Sequence, residues 1–143
     1  MYFGSFIHNL DEKGRLMIPR KMREELGTKV YIMKGFEGSL SLYNEERYQK
    51  LAEEFSRLSF NQSKVRDYLR IQFASTYEMD VDKLGRVQLP TALLTKYGIS
   101  KEVIVLGIGD HIEVWDKVKY DEYENSIRDE FENIAETIDA KKE

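Results

Sequence analysis

Residues 11–19 read Asp11-Glu12-Lys13-Gly14-Arg15-Leu16-Met17-Ile18-Pro19, and residues 82–90 read Asp82-Lys83-Leu84-Gly85-Arg86-Val87-Gln88-Leu89-Pro90. Asp, Gly, Arg and Pro hold the same places in both, and apolar residues alternate after each arginine. A repeat of this kind decides the architecture before any single element does. Asp at the first position and Gly at the fourth suit a type I turn, with the glycine free to take positive φ. Leu16 and Ile18 in one copy, and Val87 and Leu89 in the other, predict a short half-buried strand leaving each turn. Each stretch is thus the tip of a β-hairpin with an arginine at its base, and the first tip displays Glu12 and Lys13.

The surroundings repeat as well. Pro19 and Pro90 each stand where a short helix begins, and Gly27 and Gly98 stop those helices. Strands follow at Val30–Met33 and Ser39–Tyr43, and again at 103–106 and 112–116. Asn44 caps a helix carrying Tyr48, Leu51, Ala52, Phe55 and Leu58 at helical spacing, and Tyr120 falls where Tyr48 did. The expected organisation is a first repeat over 5–47, a helical linker over 48–74 whose second helix covers residues 61–70, and a second repeat over 75–119. A C-terminal acidic helix over 120–143 completes it, with one continuous apolar seam of Tyr120, Tyr123, Ile127, Phe131, Ile134 and Ile138. Each half is near the size at which a lone core is marginal, and its short strands leave open edges. The expected fold class is therefore α+β, with two repeats closing on each other as one pseudo-symmetric barrel flanked by helices.

Composition narrows the chemistry. The 143 residues contain no cysteine and two histidines, so no thiolate site, disulfide framework or zinc centre is expected. The N-terminal residues lack the pattern of a signal peptide and no apolar run has the length of a membrane span, which predicts an intracellular protein without membrane contact. Gly107-Ile108-Gly109 is a hairpin turn rather than a nucleotide loop, and no P-loop run occurs. His8 and His111 have no nucleophile motif beside them. No catalytic residue, no metal and no cofactor are expected, and the chain is not expected to be an enzyme.

The net charge of −4 is unevenly spread. The stretch from Asp116 onward is strongly acidic, whereas Asp11–Arg23 holds Lys13, Arg15, Arg20, Lys21 and Arg23 against Asp11 and Glu12. Local field rather than net charge governs encounter with a polyanion. In the second copy Lys13, Arg20, Lys21 and Arg23 become Leu84, Thr91, Ala92 and Leu94, leaving Lys83 and Arg86. Arginine is the best bidentate partner of both guanine and phosphate, and an Asp–Arg pair can equally hold a hairpin together. From the residues alone both roles stand for Arg15 and Arg86. Charge ranks the first copy above the second, with Lys13 positioning on phosphate and Arg15 reading bases.

The twin D-x-x-G-R turns, each followed by alternating apolar residues, Pro, a short helix and Gly, resemble the MraZ family of bacterial transcription regulators. The wider group is the AbrB-like (SpoVT-AbrB) swapped-hairpin barrel DNA-binding proteins. The resemblance extends to the L-x-L-Y-N and I-x-V-W-D strand ends and to the helical linker; the acidic C-terminal helix is not part of it. It implies a cytoplasmic, nucleoid-associated regulator of the division and cell-wall gene cluster. It further implies a homo-oligomeric ring, commonly of eight subunits, on short direct repeats of double-stranded promoter DNA. The family's D-x-x-x-R motif falls on Asp11/Arg15 and Asp82/Arg86, with Gly14 and Gly85 shaping the turns. The DNA-contacting residues expected here are Lys13, Arg15, Arg20, Lys21, Lys83 and Arg86. Few cations per chain also predict weak single-copy binding, which several subunits on spaced sites would multiply. The competing reading is a protein–protein scaffold built on the same barrel, with the acidic seam as its partner surface.

Overall fold

A computed structural model describes residues 1–139, so the last four positions of the expected C-terminal helix lie outside the described residues. The elements run in the repeated order anticipated above. The first half holds β1 (Ser5–Asn9), β2 (Arg15–Met17), α1 (Arg20–Leu26), β3 (Lys29–Lys34), β4 (Leu40–Asn44), α2 (Glu45–Ser56) and α3 (Ser63–Ala74). The second holds β5 (Tyr77–Asp80), β6 (Arg86–Gln88), α4 (Thr91–Lys96), β7 (Glu102–Gly107), β8 (Ile112–Asp116), α5 (Lys117–Ile127) and α6 (Phe131–Asp139).

The strands exchange partners between halves. Six of them form an antiparallel sheet in the order β1-β7-β8-β4-β3-β5, so β1 adds to the second half's β7 while β5 adds to the first half's β3. The remaining two, β2 and β6, pair with each other as a short antiparallel ribbon. Since β1 and β5 are the two edges of the sheet, each turn carries the chain from a sheet edge into the ribbon. The expected α+β class and its two interlocked repeats are thus present as a six-stranded sheet with β1 and β5 at its edges and a separate two-stranded ribbon.

One core fills the space between them. Leu16, Ile18, Val87 and Leu89 from the ribbon strands and their continuations are each 0 % exposed. They pack with Met22 and Leu26 of α1, Leu93 of α4 and the inner faces of β3, β4, β7 and β8. The alternation after each arginine therefore points every second side chain inward, as a period of two requires. Two smaller clusters cover the outer face of the sheet. Met33, Phe55 and Leu69 pack under α2 and α3, and Ile104, Leu106 and Trp115 pack with Tyr120 and Tyr123 of α5.

The predicted Asn44 cap is made, accepting the Arg47 N–H, and Asp116 caps α5 in the same way by accepting the Lys119 N–H. Helix boundaries are shifted. Leu58 falls beyond the end of α2, and the linker's second helix starts at Ser63 rather than 61 and runs on to Ala74. The single C-terminal seam is corrected more substantially. A 3-10 turn over Arg128–Glu130 separates α5 from α6. Tyr120 and Tyr123 pack on Trp115, whereas Phe131 stands 75 % exposed. A 3-10 turn advances the backbone by a different angle per residue than an α-helix, so one heptad-like stripe cannot stay on one face through it.

Candidate nucleic-acid interface

Each turn is built around its aspartate. In the first, the Asp11 N–H donates to the Arg15 carbonyl (3.1 Å) and the Gly14 N–H to the Asp11 carbonyl (2.9 Å). The Asp11 carboxylate accepts the backbone N–H groups of Lys13 (3.0 Å) and Arg15 (2.8 Å) through Oδ1, and Arg15 Nε (2.6 Å) through Oδ2. The second turn repeats this atom for atom. Asp82 Oδ1 accepts from Leu84 N–H (3.0 Å) and Arg86 N–H (2.9 Å), and Oδ2 from Arg86 Nε (2.9 Å). The Arg15 backbone N–H, and then the arginine side chain, hold the Asp11 carboxyl below its ordinary pKa against the effect of desolvation; Asp82 is lowered in the same way by Arg86. Gly14 and Gly85 take φ of 79° and 84°, the left-handed region that glycine enters at least cost.

The sequence left open whether the Asp–Arg pair is structural or ligand-reading, and the geometry allows both at once. Each aspartate engages its arginine through Nε. Among the described residues, no hydrogen bond involves an Nη group of Arg15 or Arg86. The aspartate thus fixes the plane of each guanidinium and leaves its outer fork available for a bidentate partner.

The two turns form one surface. In the β2–β6 register Arg15 faces Gln88, Leu16 faces Val87 and Met17 faces Arg86. With Leu16 and Val87 buried, alternation turns Arg15, Met17, Arg86 and Gln88 to the other face together. Arg15 and Arg86 are therefore diagonal neighbours, with Cα atoms separated by about 7–8 Å on strand geometry. Lys13 and Lys83 are exposed at the two tips. Leu84 takes the place of Lys13 in the second tip and is 63 % exposed.

The exchange of hairpins also moves charge across the repeat. Arg23 belongs by sequence to the basic surround of the first turn, yet its guanidinium lies against Gly85 of the second. A Cβ at Gly85 would come within 2.7 Å of Arg23 Cζ. Arg23 Nε donates to the Ile18 carbonyl (2.9 Å) and Nη2 to Met17 Sδ (3.1 Å), and the Ile18 N–H donates to the Gly85 carbonyl (2.9 Å). The reciprocal position in the other half, Leu94, lies against Gly14. The second turn is therefore less depleted in positive charge than the sequence suggests. Arg20 is exposed at the start of α1, whereas Lys21 lines a shallow depression with Met1, Tyr2 and Phe3. Pro19 and Pro90 are buried and immediately precede their helices. Sequence reasoning passed over two contributors. Arg23 was grouped with the wrong turn, and Gln88, which donates to the Lys13 carbonyl, ties β6 to the first tip.

The same contacts give an expected asymmetry in stability. Gly14→Ala and Gly85→Ala share the positive-φ penalty, roughly 1–2 kcal/mol. At Gly14 the new methyl meets atoms no closer than 3.3 Å, while at Gly85 it collides with a hydrogen-bonded guanidinium. Gly85→Ala is expected to lower the melting temperature more than Gly14→Ala, and Arg23→Ala added to it should recover part of the loss. Equal melting temperatures for the two single variants would contradict the placement of Arg23.

The sequence model of the family described as "MraZ protein, putative antitoxin-like" matches the chain twice, over residues 1–71 and 72–141. The chain belongs to the MraZ family. Among its relatives, a protein of Mesoplasma florum is 45 % identical over 139 residues, spanning 96 % of this chain and 95 % of the relative. Relatives from Syntrophomonas wolfei and Lactobacillus helveticus are 36 % and 34 % identical, again over nearly the whole of both chains. All three carry the name transcriptional regulator MraZ. Within this MraZ-family fold the two D-x-x-G-R turns lie at diagonal ends of one ribbon, and its outward face is the candidate site.

Proposed function

We propose that this chain is a DNA-binding transcription regulator that inserts the β2–β6 ribbon into the major groove of double-stranded promoter DNA. The observation that carries this reading is the pair of arginines on one ribbon face, each oriented through Nε by its own aspartate with the Nη fork unengaged. A two-stranded ribbon fits the major groove, about 12 Å wide. Two arginines at diagonal positions of one ribbon, with Cα atoms about 7–8 Å apart on strand geometry, can reach neighbouring base edges within it. Lys13 and Lys83 at the tips, with Arg20 beside them, are suited to phosphate, and Lys21 contributes to the wider field. The names of the relatives support the regulatory role.

The resemblance supplies the finer reading. The targets are short repeats upstream of division and cell-wall genes, the protein acts as a homo-oligomeric ring in the nucleoid, and the two repeats, helical linker and C-terminal helix serve as its working units. Among the described residues no helix is long and apolar enough to cross a membrane. Physical chemistry favours several copies acting together, because a few cations per subunit bind weakly at cellular salt.

The test is a fluorescence-anisotropy titration of the full chain against duplexes carrying the promoter repeats and against shuffled duplexes, across a salt series. Specific repeats should bind at least about 1000-fold tighter than shuffled sequence. The logarithm of affinity should fall linearly with the logarithm of salt, and Lys13→Ala should make that slope shallower by about one per engaged subunit. Equal binding to both duplexes would remove sequence reading. Absence of any duplex binding while assemblies persist would favour the scaffold reading.

A further inference from the structure

The β2–β6 ribbon is symmetric about its centre in all but one pair of outward residues. Leu16 and Val87 face each other at that centre, and the internal repeat relates Arg15 to Arg86 and Met17 to Gln88. These last four residues make up the outward face, so Arg15 stands across from Gln88 and Arg86 from Met17. A reader with twofold symmetry selects a palindrome, because the duplex presents its two strands alike about a local twofold axis. The tips differ too, yet Lys13 is suited to phosphate, which carries no sequence. On the paired face, with an arginine at each end, only Gln88 and Met17 make the two ends unlike.

The two side chains offer different chemistry. Gln88 Nε2 donates to two backbone carbonyls, those of Lys13 (2.5 Å) and Leu89 (3.1 Å). Both partners are acceptors, so the amide can sit only one way round, with its nitrogen toward them and its oxygen left over. Among the described residues Gln88 Oε1 takes part in no hydrogen bond. It is an acceptor placed beside an arginine, whose groups only donate. In the major groove the donors are the exocyclic amines, cytosine N4 and adenine N6. Met17 has no comparable acceptor to offer, since its sulfur already takes Arg23 Nη2 at 3.1 Å. What it presents is a half-buried apolar side chain, and the apolar group of the major groove is the thymine C5-methyl.

We propose that Gln88 and Met17 are specificity-determining residues that give this ribbon a direction on DNA. Gln88 Oε1 accepts an exocyclic amine, of cytosine or adenine, beside the base read by Arg15. Met17 packs against a thymine methyl beside the base read by Arg86. The site is then a pair of unlike half-sites, one for each end of the ribbon. This rests on the DNA-binding reading above and names the residues that choose bases in addition to the arginines.

The test begins with selection from a library of randomised duplexes by the full wild-type chain, followed by anisotropy titrations. The selected site should hold a cytosine or adenine amine in its first half-site and a thymine in its second. Three duplexes are then compared: the selected site, and two palindromes made by doubling either half-site. Wild type should prefer the selected site to both palindromes by about 10-fold. Gln88→Met, which places methionine at both ends, should prefer the doubled second half-site. Met17→Gln should prefer the doubled first half-site. Replacing the thymine by deoxyuridine, which lacks the methyl, should weaken wild type by about 3- to 4-fold and leave Met17→Gln unchanged. Gln88→Met also loses its tie to the Lys13 carbonyl, but a purely structural role would weaken all three duplexes alike. Variants that keep the wild-type order of preference would therefore overturn the assignment. A palindromic selected site would overturn it too, and would leave DNA reading by the arginines intact. Wild type indifferent to deoxyuridine would remove Met17 from it. Should Gln88→Met fail to fold by circular dichroism, Met17→Gln makes the same comparison from the other end. Enrichment of no sequence at all would overturn sequence reading itself, and this assignment with it.

Discussion

Arg15→Ala and Arg86→Ala are each expected to weaken binding to a promoter repeat by about 10- to 100-fold, the value of one bidentate base contact. Both variants should melt close to wild type. The reason lies in how the turn is held. Removing the Arg15 side chain deletes one ion pair at the surface, the kind that contributes little to stability. The Asp11 carboxylate keeps the Lys13 and Arg15 backbone N–H groups, so the turn persists without the guanidinium. The same holds for Asp82 and Arg86. Charge along the sequence ranks Arg15 above Arg86. The ribbon register instead makes the two losses comparable, since both guanidinium groups lie on one face and Arg23 adds positive charge beside the second turn. Anisotropy at fixed salt, with a thermal melt of each variant, decides the matter. A variant that melts like wild type and binds like it would exclude its arginine from the interface. A large fall in melting temperature would assign that arginine to the fold.

Leu16→Ala is expected to destabilise the whole molecule by about 2–5 kcal/mol. Leu16 is fully buried, faces Val87 across the ribbon and belongs to the core shared by both halves. Its truncation opens a cavity where ribbon, sheet and short helices meet, and no single half can collapse to fill it. Against a total stability of roughly 5–15 kcal/mol, this is a large fraction. The melting temperature should fall by about 6 °C or more in one cooperative transition, read by circular dichroism or calorimetry. DNA binding near that lowered midpoint should be lost with the fold. A change of only a degree would mean that the ribbon is a loosely attached arm rather than part of the core.

Much of the molecule was legible along the chain because the responsible forces are local. A carboxylate that accepts N–H groups two and four residues on specifies its own turn, and it did so at Asp11 and Asp82. Asn44 and Asp116 cap their helices through side chains that reach the third residue ahead. Alternation after each arginine marked the buried faces of both ribbon strands. The C-terminal helix was less legible. Its apolar spacing fitted one continuous stripe, but α5 is held by Trp115 while nothing in the described chain holds the face of α6, and the 3-10 turn falls between them.

The sequence by itself determined that there are two equivalent arginine-bearing turns, what shapes each one, and which residues beside them face inward. Only the tertiary structure decided that the turns belong to one surface. Pairing of β2 with β6 joins segments far apart in the chain, through burial of Leu16 and Val87 in a common core rather than through any local contact. The same exchange carried Arg23 from the first copy onto Gly85 of the second. Short-range hydrogen bonds can be read from spacing; which hairpin meets which depends on how the two halves share one core.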